Sequence, residues 1–409
     1  MFLLLAVQYH GNPVAALQPF HPTGMVFSPY APLQNFTNLT LTSPNAQLGG
    51  AFGYSVAASG NIVVVGAIFR EEHAYVFDAK NGALMNTLTS PDSQPFGGFG
   101  VSVAASGNIV VVGANLETAN GQSEAGHAYV FNATNGSLIS TLASPNAQPG
   151  GAFGYSVAAS DGIVVIGAPF EIGHTHTGHA YVFNAITGNL ISTLTSSNTQ
   201  PEGAFGYSVA AFGSILVIGA QTETDDNVPL AGHAYVVNAT TGSLISTLSS
   251  PNPQLSGLFG LSVATNGNIV AVGAPFETAN GRFDAGHVYT FNAITGSLIR
   301  TITSPNAEVY GWFGWAVGIR GNLVVVSAHS ETVNGQFSAG RVYTFNAATS
   351  SLINTLASRN AQLGYLFGQS VAVSSNVLVI GAPYETVNGQ PVAGHAYVFR
   401  PPPLKPDPS

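Results

Sequence analysis

Short apolar segments separated by Gly, Asn, Ser and Pro follow one another along almost the whole chain. One stretch shows the pattern, with FGYSVAAS at 153–160, IVVIGAP at 163–169, HAYVFNA at 179–185 and NLISTLTS at 189–196. Each segment is rich in β-branched or aromatic residues and is bounded by turn-forming residues, which predicts a strand. The period of three to four residues that marks an amphipathic helix is missing throughout, so the sequence predicts an all-β protein.

The same order of four segments recurs seven times. Each unit begins with a Phe-Gly dipeptide, and successive dipeptides are 47 to 54 residues apart, at Phe52, Phe99, Phe153, Phe205, Phe259, Phe313 and Phe367. Seven units of four short strands are typical of a β-propeller, in which each unit forms one blade. The sequence therefore predicts a seven-bladed β-propeller of four-stranded blades.

The ends of the repeat region show how the ring is expected to close. The last unit stops after YVF at 397–399 without a fourth strand, while FTNLTLTSPNAQLGGAFG at 36–53 parallels SLISTLASPNAQPGGAFG at 137–154. An open solenoid has no need for such a circular permutation, so we expect the N-terminal strand to complete the final blade. The predicted organisation is an apolar, extended N-terminal arm (1–34), the propeller (35–400) and an extended, Pro-rich C-terminal tail (401–409).

The repeat resembles the FG-GAP repeat of integrin α-subunit heads and of many secreted proteins. Phe-Gly is followed by a Gly-Ala-Pro segment, complete at Gly167–Pro169, Gly273–Pro275 and Gly381–Pro383, and then by HAYVF or a related sequence. The resemblance implies a propeller that binds a protein or glycan ligand with loops on one face. Calcium-binding members carry several Asp residues between the first two strands, but Asp161 is the only carboxylate here. We therefore expect no calcium at these turns and no cofactor.

The charge content narrows the possible partners. Charged residues make up 7% of the chain, the net charge is −9, and there are nine Lys and Arg residues, too few for a nucleic-acid footprint. A surface of Ser, Thr, Asn, Gln and Gly tolerates close packing against copies of itself. No apolar run approaches the ~18 residues of a membrane-spanning helix. Cysteine is absent, which excludes disulfides and thiolate metal sites. An extracellular or cell-surface location is expected.

Recurrent Glu and His residues flank the loop between the second and third predicted strands. Two ligands per hairpin are fewer than the three or four that zinc prefers, so we expect contacts that tether each loop rather than a ring of metal sites. Arg341 takes the place of the histidine in the sixth unit. The expected pairs are Glu117 with His127, Glu171 with His179, Glu223 with His233, Glu277 with His287, Glu331 with Arg341, and Glu385 with His395. His73 occupies the histidine position in the first unit.

Other candidate sites are weaker. His174, His176 and His179 form a histidine cluster, but two loop residues and one strand residue seldom preorganise a metal ion. No nucleophile elbow or paired-carboxylate signature stands out, so no catalytic residues are expected and the protein is predicted not to be an enzyme. The first unit breaks the repeat, since AIFREEHAYVF at 67–77 lacks about seven loop residues. Sequons permit glycosylation at Asn35, Asn38, Asn132, Asn135 and Asn238.

The N-terminal arm carries the main functional hypothesis. It is apolar, contains five prolines, and begins with the side chains expected to form contacts, Phe2, Leu3, Leu4, Leu5, Val7 and Tyr9. One interpretation is that it docks on a neighbouring copy, adding a strand to an uncharged blade edge and building a filament or surface layer. An integrin-like, ligand-binding propeller is the alternative. The arm can also pack on its own propeller, in which case no polymer is expected.

Overall fold

The computed structural model describes residues 38–171, 177–198, 200, 202–375 and 377–400, which form 28 strands and no helix. They make seven antiparallel sheets of four strands each, called blades 1 to 7 here. The first strand is β1 (Asn38–Leu41). Blade 1 contains β2 (Phe52–Ser59), β3 (Ile62–Ala67), β4 (His73–Asp78) and β5 (Leu84–Thr89); blade 2 contains β6 (Phe99–Ser106), β7 (Ile109–Ala114), β8 (His127–Asn132) and β9 (Leu138–Ala143); blade 3 contains β10 (Ser156–Ser160), β11 (Ile163–Ala168), β12 (His179–Asn184) and β13 (Leu190–Leu194).

The remaining blades repeat this order. Blade 4 contains β14 (Ser208–Phe212), β15 (Ile215–Ala220), β16 (His233–Asn238) and β17 (Leu244–Ser249); blade 5 contains β18 (Ser262–Thr265), β19 (Ile269–Ala274), β20 (His287–Asn292) and β21 (Leu298–Thr303); blade 6 contains β22 (Val317–Arg320), β23 (Leu323–Ala328), β24 (Arg341–Asn346) and β25 (Leu352–Ala357); blade 7 contains β26 (Ser370–Val373), β27 (Leu378–Ala382) and β28 (His395–Phe399).

The ring is closed by its own first strand. In blade 7 the strand order is β1-β28-β27-β26, with β1 antiparallel to β28 and Leu41 opposite Ala396. Both the seven-bladed architecture and the closure by the N-terminal strand are therefore confirmed. The closing strand is also part of the core, because Leu41 is buried in a cluster that contains Val398 of blade 7 and Val65 of blade 1.

The hydrophobic core lies between blades rather than within them. Seven clusters of buried side chains each combine residues of two neighbouring blades, as Val111 and Val130 of blade 2 combine with Val164 and Ile166 of blade 3. The second strands are apolar on both faces because each is covered by a blade on either side. Each boundary between adjacent blades is called a seam here, and every seam has its own core.

The Phe-Gly dipeptide fixes the inner strand of each blade. Phe153 is fully buried, and its ring centroid lies 5.7 Å from that of Tyr181 and 5.9 Å from that of Phe183. Gly154 has a φ of +91°, a conformation that favours glycine. The predicted strand at 153–160 is wrong at its start, because β10 begins at Ser156. Regular pairing is interrupted at the Phe-Gly dipeptide, and β2 and β6, which have the same left-handed glycine, continue across the interruption through a register shift.

A second glycine lets neighbouring blades approach closely. A Cβ atom on Gly167 would lie 2.0 Å from the carbonyl oxygen of Gly206 in the next blade and 2.3 Å from Ser156 Oγ. Ser156 Oγ donates a hydrogen bond to that same carbonyl at 2.8 Å. Blade 6 differs, since Ala316 stands in place of the serine and Ser327 in place of the glycine. The hydroxyl has moved to the second strand, where Ser327 Oγ accepts the Ala316 N–H at 2.9 Å.

Gly167→Ala is expected to destabilise the propeller by about 2 kcal/mol or more, since the new methyl group meets backbone atoms that cannot rotate away. The matched control is Gly318→Ala, whose Cβ would meet only valine side-chain atoms, the nearest a methyl group of Val373 at 3.2 Å. Thermal or urea unfolding measures both. Adding Ser156→Ala to Gly167→Ala removes one of the two clashes and is expected to recover part of the loss. Equal stability of the two glycine variants would contradict this account of the seam.

Candidate functional site

The antiparallel blades sort the connections onto two faces of the disc. One face, called the loop face here, carries the loops between second and third strands and the links from each fourth strand to the next blade. The other face carries tight turns such as Gly60-Asn61 and Gly107-Asn108. Loops and links are joined by backbone hydrogen bonds, for example from Ala152 N–H to the Glu124 carbonyl at 3.1 Å. The recurrent Glu and His residues of the sequence lie at the base of these loops.

Each seam buries a glutamate, and in five of the seven seams this glutamate accepts hydrogen bonds from both blades. In the seam between blades 4 and 5, Ser250 follows the outer strand of blade 4 and donates to Glu277 Oε1 at 2.5 Å. Tyr289 of blade 5 donates to Glu277 Oε2 at 2.6 Å, and His287 Nδ1 lies 2.9 Å from the same oxygen. A buried carboxylate is costly unless it has such donors. The group thus joins the two blades and fixes the base of the loop.

The same arrangement recurs around the ring. Glu and His or Arg are in ion-pair distance in the pairs Glu117–His127 (2.9 Å), Glu171–His179 (3.2 Å), Glu223–His233 (3.0 Å), Glu277–His287 (2.9 Å), Glu331–Arg341 (3.6 Å) and Glu385–His395 (2.8 Å). Arg341 also donates to the Thr332 carbonyl through Nη2 at 2.7 Å. Burial raises the pKa of Glu331 to about 7, and hydrogen bonds from Ser304 and Tyr343 oppose this rise.

Three members of the seam group were missed by sequence reasoning. Glu71 fills the glutamate position of blade 1, where it accepts hydrogen bonds from Ser43 at 2.6 Å and from Tyr75 at 3.0 Å. The short loop places it two residues before His73 rather than ten, which hid the equivalence. The serine of the recurrent Ser-Pro-Asn segment and the tyrosine two residues after each histidine were visible repeats. Only the fold shows that they converge on the glutamate.

One seam groups side chains that could bind a metal ion. Ligand atoms of Asp92, Glu117 and His127 lie within 4.8 Å of one another between blades 1 and 2. In the histidine cluster of the sequence, His174 and His176 lie outside the described residues. Its third member, His179, faces Glu171.

The sequons differ in accessibility. Asn132 and Asn238 end third strands, and each Oδ1 accepts a backbone N–H of the following turn at 2.9 Å. Asn135 is exposed at the tip of such a turn. Asn35 and the side chain of Asn38 lie outside the described residues. Asn135 is therefore the most accessible of the sequons that the structure describes, and glycosylation stays a prediction.

Comparison with protein-family models agrees with this architecture. A model described as FG-GAP repeat matches seven times, at residues 38–77, 83–131, 137–183, 189–237, 246–291, 297–345 and 353–399. The chain belongs to the FG-GAP repeat family. A search of curated proteins finds no relative with significant similarity. The described part of this FG-GAP protein contains no helix long and apolar enough to cross a membrane.

The rim of the FG-GAP propeller consists of unpaired strand edges with little charge. The outer strands of the seven blades contain one charged residue, Arg300 in β21. Charged side chains, Pro and bulges normally protect such edges from pairing with another chain. The outer strands of blades 1 to 6 each have a bulge-type register shift, but they contain no Pro and almost no charge. A leucine at the start of each outer strand of blades 1 to 6 is 43–48% exposed: Leu84, Leu138, Leu190, Leu244, Leu298 and Leu352. The rim thus offers backbone groups and apolar side chains together.

The loop face also exposes large apolar side chains. Phe283 packs edge-to-face on Tyr310 with ring centroids 5.8 Å apart, although both are more than half exposed. Others on the loops and links of this face are Leu48, Phe69, Phe96, Phe170, Leu255, Val309, Phe337 and Leu363. Isolated exposed apolar residues need no explanation, but a group on one face marks a possible contact surface.

Tyr289→Phe is expected to destabilise the propeller by about 1–2 kcal/mol, because the fully buried Glu277 carboxylate loses a hydrogen-bond donor. Tyr310→Phe removes the same atom from a residue that is 51% exposed and serves as the control. Urea unfolding at neutral pH measures both changes. If the two variants are equally stable, the seam tyrosines do not hold the carboxylates in the manner described.

His233→Gln is expected to cost more stability at pH 6 than at pH 9. Burial lowers the pKa of His233, but Glu223 at 3.0 Å and Asp225 at 3.3 Å outweigh this effect, so the pKa is raised above 6.5. A raised pKa in the folded state stabilises the fold fully below the unfolded value of about 6.5. That stabilisation is lost as the pH rises through the folded value. Urea unfolding at both pH values tests the sign, and Asp225→Asn should shrink the difference. A pH-independent cost would refute the assignment.

Proposed function

We propose that this FG-GAP propeller is a non-catalytic, extracellular structural protein whose subunits assemble head to tail into a filament or surface layer. FG-GAP propellers are generally non-catalytic modules of extracellular or surface proteins. The observation that supports assembly is the rim, with its unpaired outer strands and a single charge. The partner proposed is therefore another copy of the same chain.

The sequence supplies a segment suited to these edges. Residues 1–34 are apolar and uncharged along their length apart from histidine protonation and the terminus. An extended segment that pairs with a sheet edge gains main-chain hydrogen bonds, and alternate side chains enter neighbouring pockets. Phe2, Leu3, Leu4, Leu5, Val7 and Tyr9 supply the apolar side chains. The arm that docks and the rim that accepts it are different surfaces, so the contact between subunits is heterologous. Such a contact propagates into a filament unless the subunits close into a ring of their own.

A ligand-binding module is the second candidate, and the exposed apolar side chains of the loop face favour it. Phe96 is 75% exposed and Phe337 is 70% exposed, and each lies on a different seam of that face. A protein or glycan that covers this face would bury them. Such binding needs the intact disc but not residues 1–34, which separates the two candidates experimentally.

The test compares the full chain with a variant that lacks residues 1–34, using negative-stain microscopy and sedimentation. The full chain is expected to form filaments or sheets, and the truncated chain single discs. Thr141→Lys, Thr193→Lys and Thr247→Lys together place charges on three exposed rim positions. This triple variant is expected to lower assembly by at least about tenfold, because charged edges resist pairing.

The matched control puts the same three charges on the other face. Thr240→Lys, Ile294→Lys and Ala348→Lys alter exposed residues of tight turns and should leave assembly unchanged. Single discs of the full chain at all concentrations, or polymers of the truncated chain, would contradict the proposal. Ligand binding retained by truncated single discs would instead support the loop-face module.

A further inference from the structure

The seam between blades 1 and 2 departs from the repeat in several ways at one place. The loop between the second and third strands has five residues in blade 1 (68–72) and twelve in blade 2 (115–126). Asp92 occupies a position where the other six units carry asparagine: Asn45, Asn146, Asn198, Asn252, Asn306 and Asn360. Glu72 lies in the short loop, and the other units of the repeat have no equivalent residue. These differences all lie at the seam between blades 1 and 2, on the loop face.

Glu72 replaces part of the missing loop. In five other seams a backbone carbonyl of the long loop accepts the N–H of the residue before Phe-Gly, as Glu124 does for Ala152 at 3.1 Å. In this seam the Glu72 carboxylate accepts the Gly98 N–H at 2.9 Å. The rest of the missing loop is not replaced, and a cavity of about 160 Å³ lies between the two blades.

The cavity wall is acidic. Glu71, Glu72 and Glu117 line it, together with His73, Thr89, Ser90, Ser93 and Gln94, and no Lys or Arg lies among the lining residues. Glu71 is 4% exposed, and its Oε1 atom, like those of Glu171 and Glu385 in other seams, has no hydrogen-bond partner within the described part of the protein. The buried Nδ1 of His73 likewise has none there. A buried carboxylate oxygen without a donor is costly, and a bound cation would stabilise it.

The group of Asp92, Glu117 and His127 lies at the same seam, since Glu117 belongs to both the group and the cavity wall. A carboxylate has about four acceptor positions. Glu117 uses three of them, for Ser90 on Oε1 and for His127 and Tyr129 on Oε2. An imidazole with two carboxylates is a mixed nitrogen and oxygen ligand set, which suits zinc and similar ions, whereas calcium prefers oxygen ligands alone.

We propose that the seam between blades 1 and 2 binds one divalent transition-metal ion through Asp92, Glu117 and His127, with the acidic cavity completing its surroundings. The ion links the turn that precedes blade 2 to the base of the blade 2 loop. It thereby strengthens the one seam of the described propeller in which a shortened loop leaves a cavity of this kind. Among the described residues, Asp92, Glu117 and His127 are the His, Asp and Glu side chains whose ligand atoms all lie within 4.8 Å of one another, so one ion per chain is expected.

Metal binding is measured on a full-length variant with His174→Ala and His176→Ala. These two substitutions remove the histidine cluster as a competing metal site. After chelator treatment, Zn²⁺ is added and binding is followed by calorimetry, by metal analysis and by the thermal midpoint. We expect one Zn²⁺ per chain, a higher midpoint with Zn²⁺, and much weaker binding of Ca²⁺.

Asp92→Asn gives this seam the residue that the other units carry, so the variant is expected to fold. It should weaken Zn²⁺ binding at least about tenfold and abolish the shift in midpoint. Asp226→Asn removes one exposed carboxylate elsewhere in the propeller and should leave both the Zn²⁺ affinity and the shift in thermal midpoint unchanged. Absence of bound Zn²⁺, equal affinity of the Asp92→Asn variant, or a preference for Ca²⁺ would overturn the proposal.

Discussion

A buried carboxylate with donors from two adjacent blades is the polar link on which the ring depends. The glutamate at each seam is almost fully buried. In five of the seven seams its donors come from two sources: a tyrosine of its own blade and a serine that follows the outer strand of the preceding blade. Glu71 shows the consequence most clearly, because its serine is Ser43, directly after the closing strand β1. Closing the ring thus completes the last sheet, fills the apolar seam around Leu41 and provides the donor for the first glutamate. The short strand β1 and the serine that follows it therefore provide the pairing, the apolar packing and the hydrogen-bond donor that ring closure needs.

Polar and apolar interactions have separate places in each seam. The interior contains Val, Ile, Ala and the Phe-Gly phenylalanine, and its close packing depends on glycines such as Gly167, opposite the Gly206 carbonyl. Apolar burial is not directional, so it brings blades together without fixing their angle. The serine hydrogen bonds to glycine carbonyls near the axis and the glutamate groups at the loop face are directional, and they act at two separate points of the same seam. Two such points fix the orientation of each blade.

The sequence predicted the architecture because its signals are local and repeated sevenfold. Phe-Gly, the apolar second strand and the displaced first strand were enough for blade number and closure. The glutamate group was only half predictable, since Glu277 and His287 lie ten residues apart across one loop, whereas Ser250 is 27 residues before Glu277 in another blade. Glu71 was missed because a deletion changed its spacing. The start of β10 was misplaced because strand pairing is interrupted at Phe-Gly without any change in the apolar pattern.

Departures from the repeat divide into those that compensate each other and those that do not. In blade 6, Ala316 replaces the serine of the first strand, and Ser327 of the second strand supplies the hydroxyl instead. Arg341 replaces histidine and keeps the contact with Glu331. His329 is buried, stacked 4.4 Å from Trp315, and its pKa is lowered to about 3, so it stays neutral. These changes preserve a satisfied seam. In blade 1 the shortened loop is only partly replaced by Glu72, and acidic groups accumulate beside the space it leaves. Because this change in blade 1 is not compensated, the seam between blades 1 and 2 can have a binding property that the other six seams lack.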